Sequence, residues 1–134
     1  MKTYAYQLDI QWEKKEDNFR KIRKLTELHQ PDKGSLIILP EMFATGFSMN
    51  TEITQEKEDG PSGNFLKTFA NETGCYVIGG MTQAKAIGKP TNDALLISPD
   101  GRRMGEYSKI HPFSLGKEDE HYSDGNKVFT FELP

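Results

Sequence analysis

Leu36-Ile37-Ile38-Leu39-Pro40-Glu41-Met42-Phe43 is the stretch that decides the architecture of this chain. Four consecutive apolar residues suit a strand buried on both faces, as in a parallel sheet, and Pro40, with no N–H to donate, stops it. Upstream the period changes. From Asn18 onward, Phe19, Ile22, Leu25 and Leu28 fall on one stripe while Arg20, Lys21, Arg23, Lys24 and Glu27 lie elsewhere, which predicts an amphipathic helix. Pro31 and Gly34 end it. Farther back, Tyr4, Tyr6, Leu8 and Ile10 alternate with Ala5, Gln7 and Asp9, the period of a strand with two unlike faces. Trp12 to Asp17 is a charged connector, so a β-α-β unit opens the chain.

Downstream, the charged stretch from Glu52 to Asp59 predicts a solvated loop. Gly60-Pro61-Ser62-Gly63 then opens a second helix, with Phe65, Leu66, Phe69 and Ala70 on one face and Gly74 as its C-cap. Cys75-Tyr76-Val77-Ile78-Gly79-Gly80 is a second buried strand. A hairpin follows: Asn92 to Ser98, the turn Pro99-Asp100-Gly101, then Arg102 to Ser108. Ile110 to Asn126 is a long loop, and Val128 to Leu133 alternates as a last strand. There is no internal repeat and no low-complexity tract. The fold class expected is α/β, with helices packed on a mixed β-sheet. The last strand reaches Pro134 with no covering element after it, which predicts an apolar face or strand edge that takes a partner.

Composition narrows the function classes. A chain of 134 residues is of single-domain size. Seventeen Lys and Arg against twenty Asp and Glu leave a net charge of −3, which argues against the basic face a nucleic-acid partner requires. No apolar run approaches the ~20 residues of a membrane span, and the first residues, Met1-Lys2-Thr3-Tyr4, lack the apolar core of a signal peptide. One cysteine, Cys75, excludes an internal disulfide framework and fits a reducing, cytoplasmic compartment.

Glu41 follows a strand directly. Open α/β sheets bind ligands beyond the carboxyl ends of their strands, and a carboxylate flanked by Met42 and Phe43 there would be partly desolvated and more basic. A solvated loop glutamate fits the same spacing. Lys109 leaves the hairpin in Tyr107-Ser108-Lys109-Ile110-His111-Pro112-Phe113. Its charge suits a developing oxyanion, or it is an ordinary snorkelling lysine. Glu118-Asp119-Glu120-His121 is an acidic cluster near His111. A divalent metal held by His111, Glu118, Glu120 and His121 is a weak alternative, because no known ligand spacing is matched. Cys75 opens an apolar strand and has no basic neighbour to activate it, so it is expected to be a buried structural thiol. Gly79-Gly80 lacks phosphate-loop spacing and is expected to permit close backbone packing.

Taken together, Ile38-Leu39-Pro40-Glu41-Met42-Phe43 and Tyr107-Ser108-Lys109-Ile110-His111 resemble the first two signature blocks of the nitrilase, or carbon–nitrogen hydrolase, superfamily. Gln7-Leu8-Asp9-Ile10-Gln11-Trp12 is similar to that family's opening. Thr45-Gly46-Phe47-Ser48-Met49, and Glu118-Asp119-Glu120-His121-Tyr122 before Gly125-Asn126, are similar to its bacterial omega-amidase branch.

The resemblance implies hydrolysis of a non-peptide C–N bond, the omega-amide of a 2-oxo dicarboxylic acid, with no cofactor and no metal. It implies Glu41 as general base, Lys109 as the cation that stabilises the tetrahedral intermediate, and Glu118 rather than Glu120 as a second glutamate. Phe43, Phe47 and Met49 are expected to wall the substrate pocket. The family fold is an α-β-β-α sandwich, and residues 1–134 correspond to its N-terminal half. The family's attacking cysteine lies in a later block, and Cys75 is in the wrong place for it, so these residues alone are expected to be inactive. Dimerisation, or pairing with a C-terminal half, is also expected. A non-catalytic half-domain acting as a binding or assembly module is the alternative.

Overall fold

In the computed structural model, which describes residues 1–134, the strand expected at the Leu36 run is the second of five in one sheet. The elements in chain order are β1 (Thr3–Ala5), α1 (Lys15–His29), β2 (Leu36–Ile38), α2 (Thr51–Thr54), α3 (Pro61–Thr73), β3 (Tyr76–Gln83), β4 (Thr91–Ile97), β5 (Arg103–Ser108), a 3₁₀ turn (Ser114–Gly116) and α4 (Glu118–His121). Spatial order follows chain order, β1-β2-β3-β4-β5. The first three strands are parallel, with Tyr4 opposite Ile37 and Ile37 opposite Val77. The last three are antiparallel, with Val77 opposite Ile97 and Ala94 opposite Tyr107. The sheet is mixed because β1, β2 and β3 are linked through helices and β3, β4 and β5 by hairpins.

The two helices cover one face. Phe19 and Ile22 of α1 and Phe65, Leu66, Phe69 and Ala70 of α3 meet Ile37, Val77, Leu95 and Ile97 of the sheet in a single core. Phe19, Phe65 and Phe69 form a run of stacked rings, 4.3 and 5.3 Å between successive centroids. Helix α3 starts on Pro61 and ends at Gly74 in the left-handed conformation, as its sequence predicts. Gly79 earns its place by close approach: a Cβ there would lie 2.6 Å from Leu66 and 3.0 Å from Phe43.

Four expectations are corrected. Strand β1 is only three residues long, although the burial alternation continues through Ile10. Helix α1 starts at Lys15, inside the expected connector, because Glu16 and Asp17 sit favourably on the positive end of the helix; Leu28, at its far end, has run past the core and is 71 % exposed. The segment 52–59 is not a simple solvated loop. It contains α2, and Glu56 within it is buried, its backbone bonded to Thr82 and Ala84 beside β3. Val128 to Leu133 forms no strand. Val128, Phe129 and Phe131 stay exposed, and although Phe131 lies over Gly105 of β5 the segment pairs with no strand.

Candidate active site

The sheet brings three distant positions to one edge. Parallel β2 ends there and leads into Glu41. Antiparallel β4 begins there, with Thr91 opposite Gln83, and β5 ends there, with Ser108 opposite Asp93. Residues 41, 92 and 109 therefore converge although 68 positions separate the first from the last.

Glu41 heads a tight turn in which Met42, left-handed at φ 47°, accepts hydrogen bonds from the backbone of Thr45 and Gly46. A non-glycine residue in that conformation costs about 1 kcal/mol. Two contacts hold it: Met42 is buried, and the turn presses against β3 at Gly80, where a Cβ would lie 2.8 Å from the Met42 nitrogen and 3.0 Å from Glu41 Cα. The Asn18 amide donates to Ala44 carbonyl at 2.8 Å, fastening the same turn to α1.

Lys109 Nζ lies 2.8 Å from Glu41 Oε1 and 2.8 Å from Glu118 Oε2. Its backbone N–H donates to the Asn92 carbonyl at 2.8 Å. Glu118, the first residue of α4, is fully buried, and its carboxylate is saturated: Oε1 accepts from Asn92 Nδ2 at 2.8 Å, and Oε2 accepts from the Phe113 backbone at 2.7 Å as well as from Lys109. Asn92 Nδ2 also donates to Glu41 Oε1 at 2.7 Å. The Glu41 side chain remains half exposed.

These contacts set the protonation states. Partial burial works to lower the Lys109 pKa, but hydrogen bonds to Glu118 and Glu41 and their negative charge outweigh it, and the net shift is upward. Burial works to raise Glu118; the donors Asn92, Lys109 and the Phe113 amide outweigh it and hold the carboxyl below its ordinary value. Lys109 is thus a fixed cation and Glu118 a fixed anion. The Phe47 ring lies 4.9 Å from Lys109 Nζ and is tilted against Phe113, a cation–π contact that leaves the charge in place. Beside Glu41, Asn92 and Lys109 is a cavity of about 300 Å³ whose apolar walls include Leu39, Ile78, Ala94 and Tyr107.

The structure thus gathers Glu41, Lys109 and Glu118 and leaves Glu120 exposed outside the cluster. Phe47 joins it from the side. Met49 is partly buried and does not line the cavity. Phe43 is corrected: its ring is fully buried between Phe19 and Phe65 and has no surface left for a ligand. His111, Glu118, Glu120 and His121 do not form a group that could hold a metal ion, since Glu118 is committed to Lys109 and Asn92. Cys75 is buried, with Sγ donating to the Asp32 carbonyl at 3.3 Å. Two residues were missed. Asn92 was visible only as part of the polar triplet Thr91-Asn92-Asp93 heading an otherwise apolar strand. Tyr122, 2 % exposed, donates its hydroxyl to Ser48 carbonyl at 2.7 Å and so pins α4 to the loop after Glu41. No helix is long and apolar enough to cross a membrane.

A nitrilase of Pyrococcus abyssi is 32 % identical over 118 residues, 84 % of this chain and 44 % of its own. A 2-oxoglutaramate amidase of Bacillus subtilis is 27 % identical over 95 % of this chain and 49 % of its own. An omega-amidase of Xenopus laevis is 31 % identical over 90 % and 46 %. Among solved structures, a CN-hydrolase superfamily protein of Xanthomonas campestris, with an arsenic adduct in its active site, superposes with a TM-score of 0.87 at 29 % identity over 98 % of this chain and 48 % of its own. The chain spans about half the length of the curated relatives it matches. The carbon–nitrogen hydrolase family profile matches residues 3–133, nearly the whole sequence, and the chain belongs to that family.

Proposed function

We propose that this protein acts as an amidase, releasing ammonia from the omega-amide of a 2-oxo dicarboxylic acid in the cytoplasm. One observation carries the reading: a lysine ammonium held 2.8 Å from each of two carboxylates, one buried and saturated, the other half exposed beside a cavity. Glu41 takes the proton of an attacking thiol. The thiolate adds to the amide carbon, the carbonyl electrons move onto oxygen, and Lys109 stabilises that oxyanion. Collapse of the intermediate expels ammonia, which takes the proton back from Glu41, and leaves a thioester. Water, giving a proton to Glu41, then adds to the thioester carbon, and the thiolate leaves and takes that proton back as the carboxylic acid is released. Glu118 keeps Lys109 charged and in place while Glu41 is neutral. Phe47, whose ring lies beside Lys109, contributes to the substrate walls. The omega-amidase and 2-oxoglutaramate amidase names among the relatives support the substrate class.

The attacking thiol comes from outside residues 1–134, because Cys75 is enclosed in the core and bonded away from the cluster. Ile78, Ala94 and Tyr107, only half-buried on the sheet face opposite the two helices, support a further layer, from the same or another chain, over this half of the fold. The test is ammonia release from a 2-oxo-acid omega-amide, with the mass of each sample measured. The 15.2 kDa chain alone is expected to release none. A longer, thiol-bearing form is expected to turn over and to lose activity on Glu41→Gln. Turnover by the 15.2 kDa chain overturns the external thiol; a longer form inert on such amides overturns the amidase.

A further inference from the structure

Asn92 touches every charged member of the cluster. Its backbone carbonyl accepts the Lys109 N–H at 2.8 Å. Its amide nitrogen reaches Glu41 Oε1 at 2.7 Å and Glu118 Oε1 at 2.8 Å, one hydrogen for each carboxylate. The side chain is 5 % exposed and sits on a central strand, so it can neither swing away nor exchange these contacts for water. An asparagine amide is one of few groups that can do this. It offers two hydrogens from one atom and carries no charge, whereas a lysine would add a second cation and an aspartate a third anion.

The consequence falls on Glu41. Both of its close partners, Asn92 Nδ2 and Lys109 Nζ, bind the same oxygen, Oε1. Oε2 is left free on a half-exposed side chain beside the cavity. A carboxylate pinned by two donors on one oxygen cannot rotate to exchange its oxygens without breaking both bonds. We propose that Asn92 is a positioning residue for the hydrolase reaction: together with Lys109 it fixes Oε1 of Glu41, so that Oε2 is the oxygen that accepts the thiol proton, and it ties Glu41 to Glu118 at constant separation.

This rests on the amidase reading, and the test separates the two. Asn92→Ala removes the donor, and Asn92→Asp keeps the shape while replacing the donor with an acceptor. Two readouts apply: kcat and KM for ammonia release across pH, and the ¹³C titration of the Glu41 and Glu118 side-chain carboxyls, which needs no turnover. Besides each other, the titratable groups these carboxylates face are Lys109 after β5 and Tyr122 after α4. Both variants are expected to lower kcat by roughly 10–100-fold with KM within about twofold, the signature of lost orientation. The Glu118 carboxyl titration is expected to move to higher pH, more in Asn92→Asp than in Asn92→Ala. An unchanged kcat and unchanged titrations overturn the proposal. A raised KM at constant kcat also overturns it, since that marks a substrate contact. If the parent enzyme releases no ammonia, the amidase reading fails, and the carboxyl titrations still decide whether Asn92 holds the two glutamates.

Discussion

The molecule contains two buried lysine–glutamate centres, and they are built differently. In the first, Glu56 receives Lys15 Nζ at 2.5 Å and Ser62 Oγ at 2.7 Å on Oε1, and the Ser62 backbone N–H at 2.7 Å on Oε2. Both oxygens are used, the side chain is buried, and a Cβ on Gly60 would collide with it. This carboxylate joins α1 to the start of α3 while the Glu56 backbone bonds to the end of β3, and it leaves nothing over for chemistry. In the second, Glu118 is closed in the same way, but Glu41, which shares its lysine, keeps one oxygen free and half its side chain in the open. A fully satisfied carboxylate holds structure together, whereas one satisfied on a single oxygen can move a proton. The difference lies in the count of donors, not in the residues, since both centres are a glutamate facing a lysine.

That contrast can be broken by mutation. The largest effect is expected from Lys109→Met, which strips the cation from both carboxylates. In the longer, thiol-bearing form, where this and the following turnover effects are measured, turnover should fall at least about 10³-fold. Stability should drop by about 3 kcal/mol in urea melts, because buried Glu118 loses its charged partner. Glu41→Gln should cost roughly 10²–10⁴-fold in kcat while shifting the melt little, since that side chain is half exposed. Glu56→Ala should invert this pattern, losing about 2 kcal/mol through the unpaired Lys15 and Ser62 groups with kcat unchanged wherever the protein stays folded. Equal effects of the two glutamate substitutions on melt and turnover would erase the distinction.

A finer prediction concerns pH. Glu118 is held below its ordinary value of 4.5, so its contribution is complete above that pH and is lost as pH falls through the depressed folded value. Lys109 is raised above 10.5, so its contribution is complete below that pH and is lost as pH rises through the folded value. The stability difference between the parent and Glu118→Gln should therefore be flat between these limits and shrink outside them. The smallest effect is expected from Tyr122→Phe. It removes the hydrogen bond to Ser48 at about 1 kcal/mol, and with it the tie between α4 and the Glu41 loop.

Much of this was legible in the residues themselves. An unbroken apolar run ended by Pro40, a helix bracketed by Pro61 and Gly74, and a Pro99-Asp100-Gly101 turn each carry a local signal strong enough to survive tertiary packing. Glu41, Lys109 and Glu118 were reachable because two sequence blocks resemble a known family. What stayed hidden depends on contacts across the fold. Burial of Glu56 needs Lys15, 41 positions away, and nothing near residue 56 announces it. Phe43 beside the base suggested a pocket wall, but the left-handed turn at Met42 sends it into the core. Asn92 was opaque for the same reason: an asparagine in a strand has meaning only once two carboxylates are seen to meet it.

The strand order, identical in space and in sequence, has a consequence for how the protein is made. Each new strand pairs with the one synthesised just before it, so the sheet can grow in the direction of translation without waiting for a distant segment. The cluster at its edge cannot. It needs β2, β4, β5 and α4 together, so the nascent chain assembles its carboxylate–lysine cluster only after all five strands of the sheet have been made.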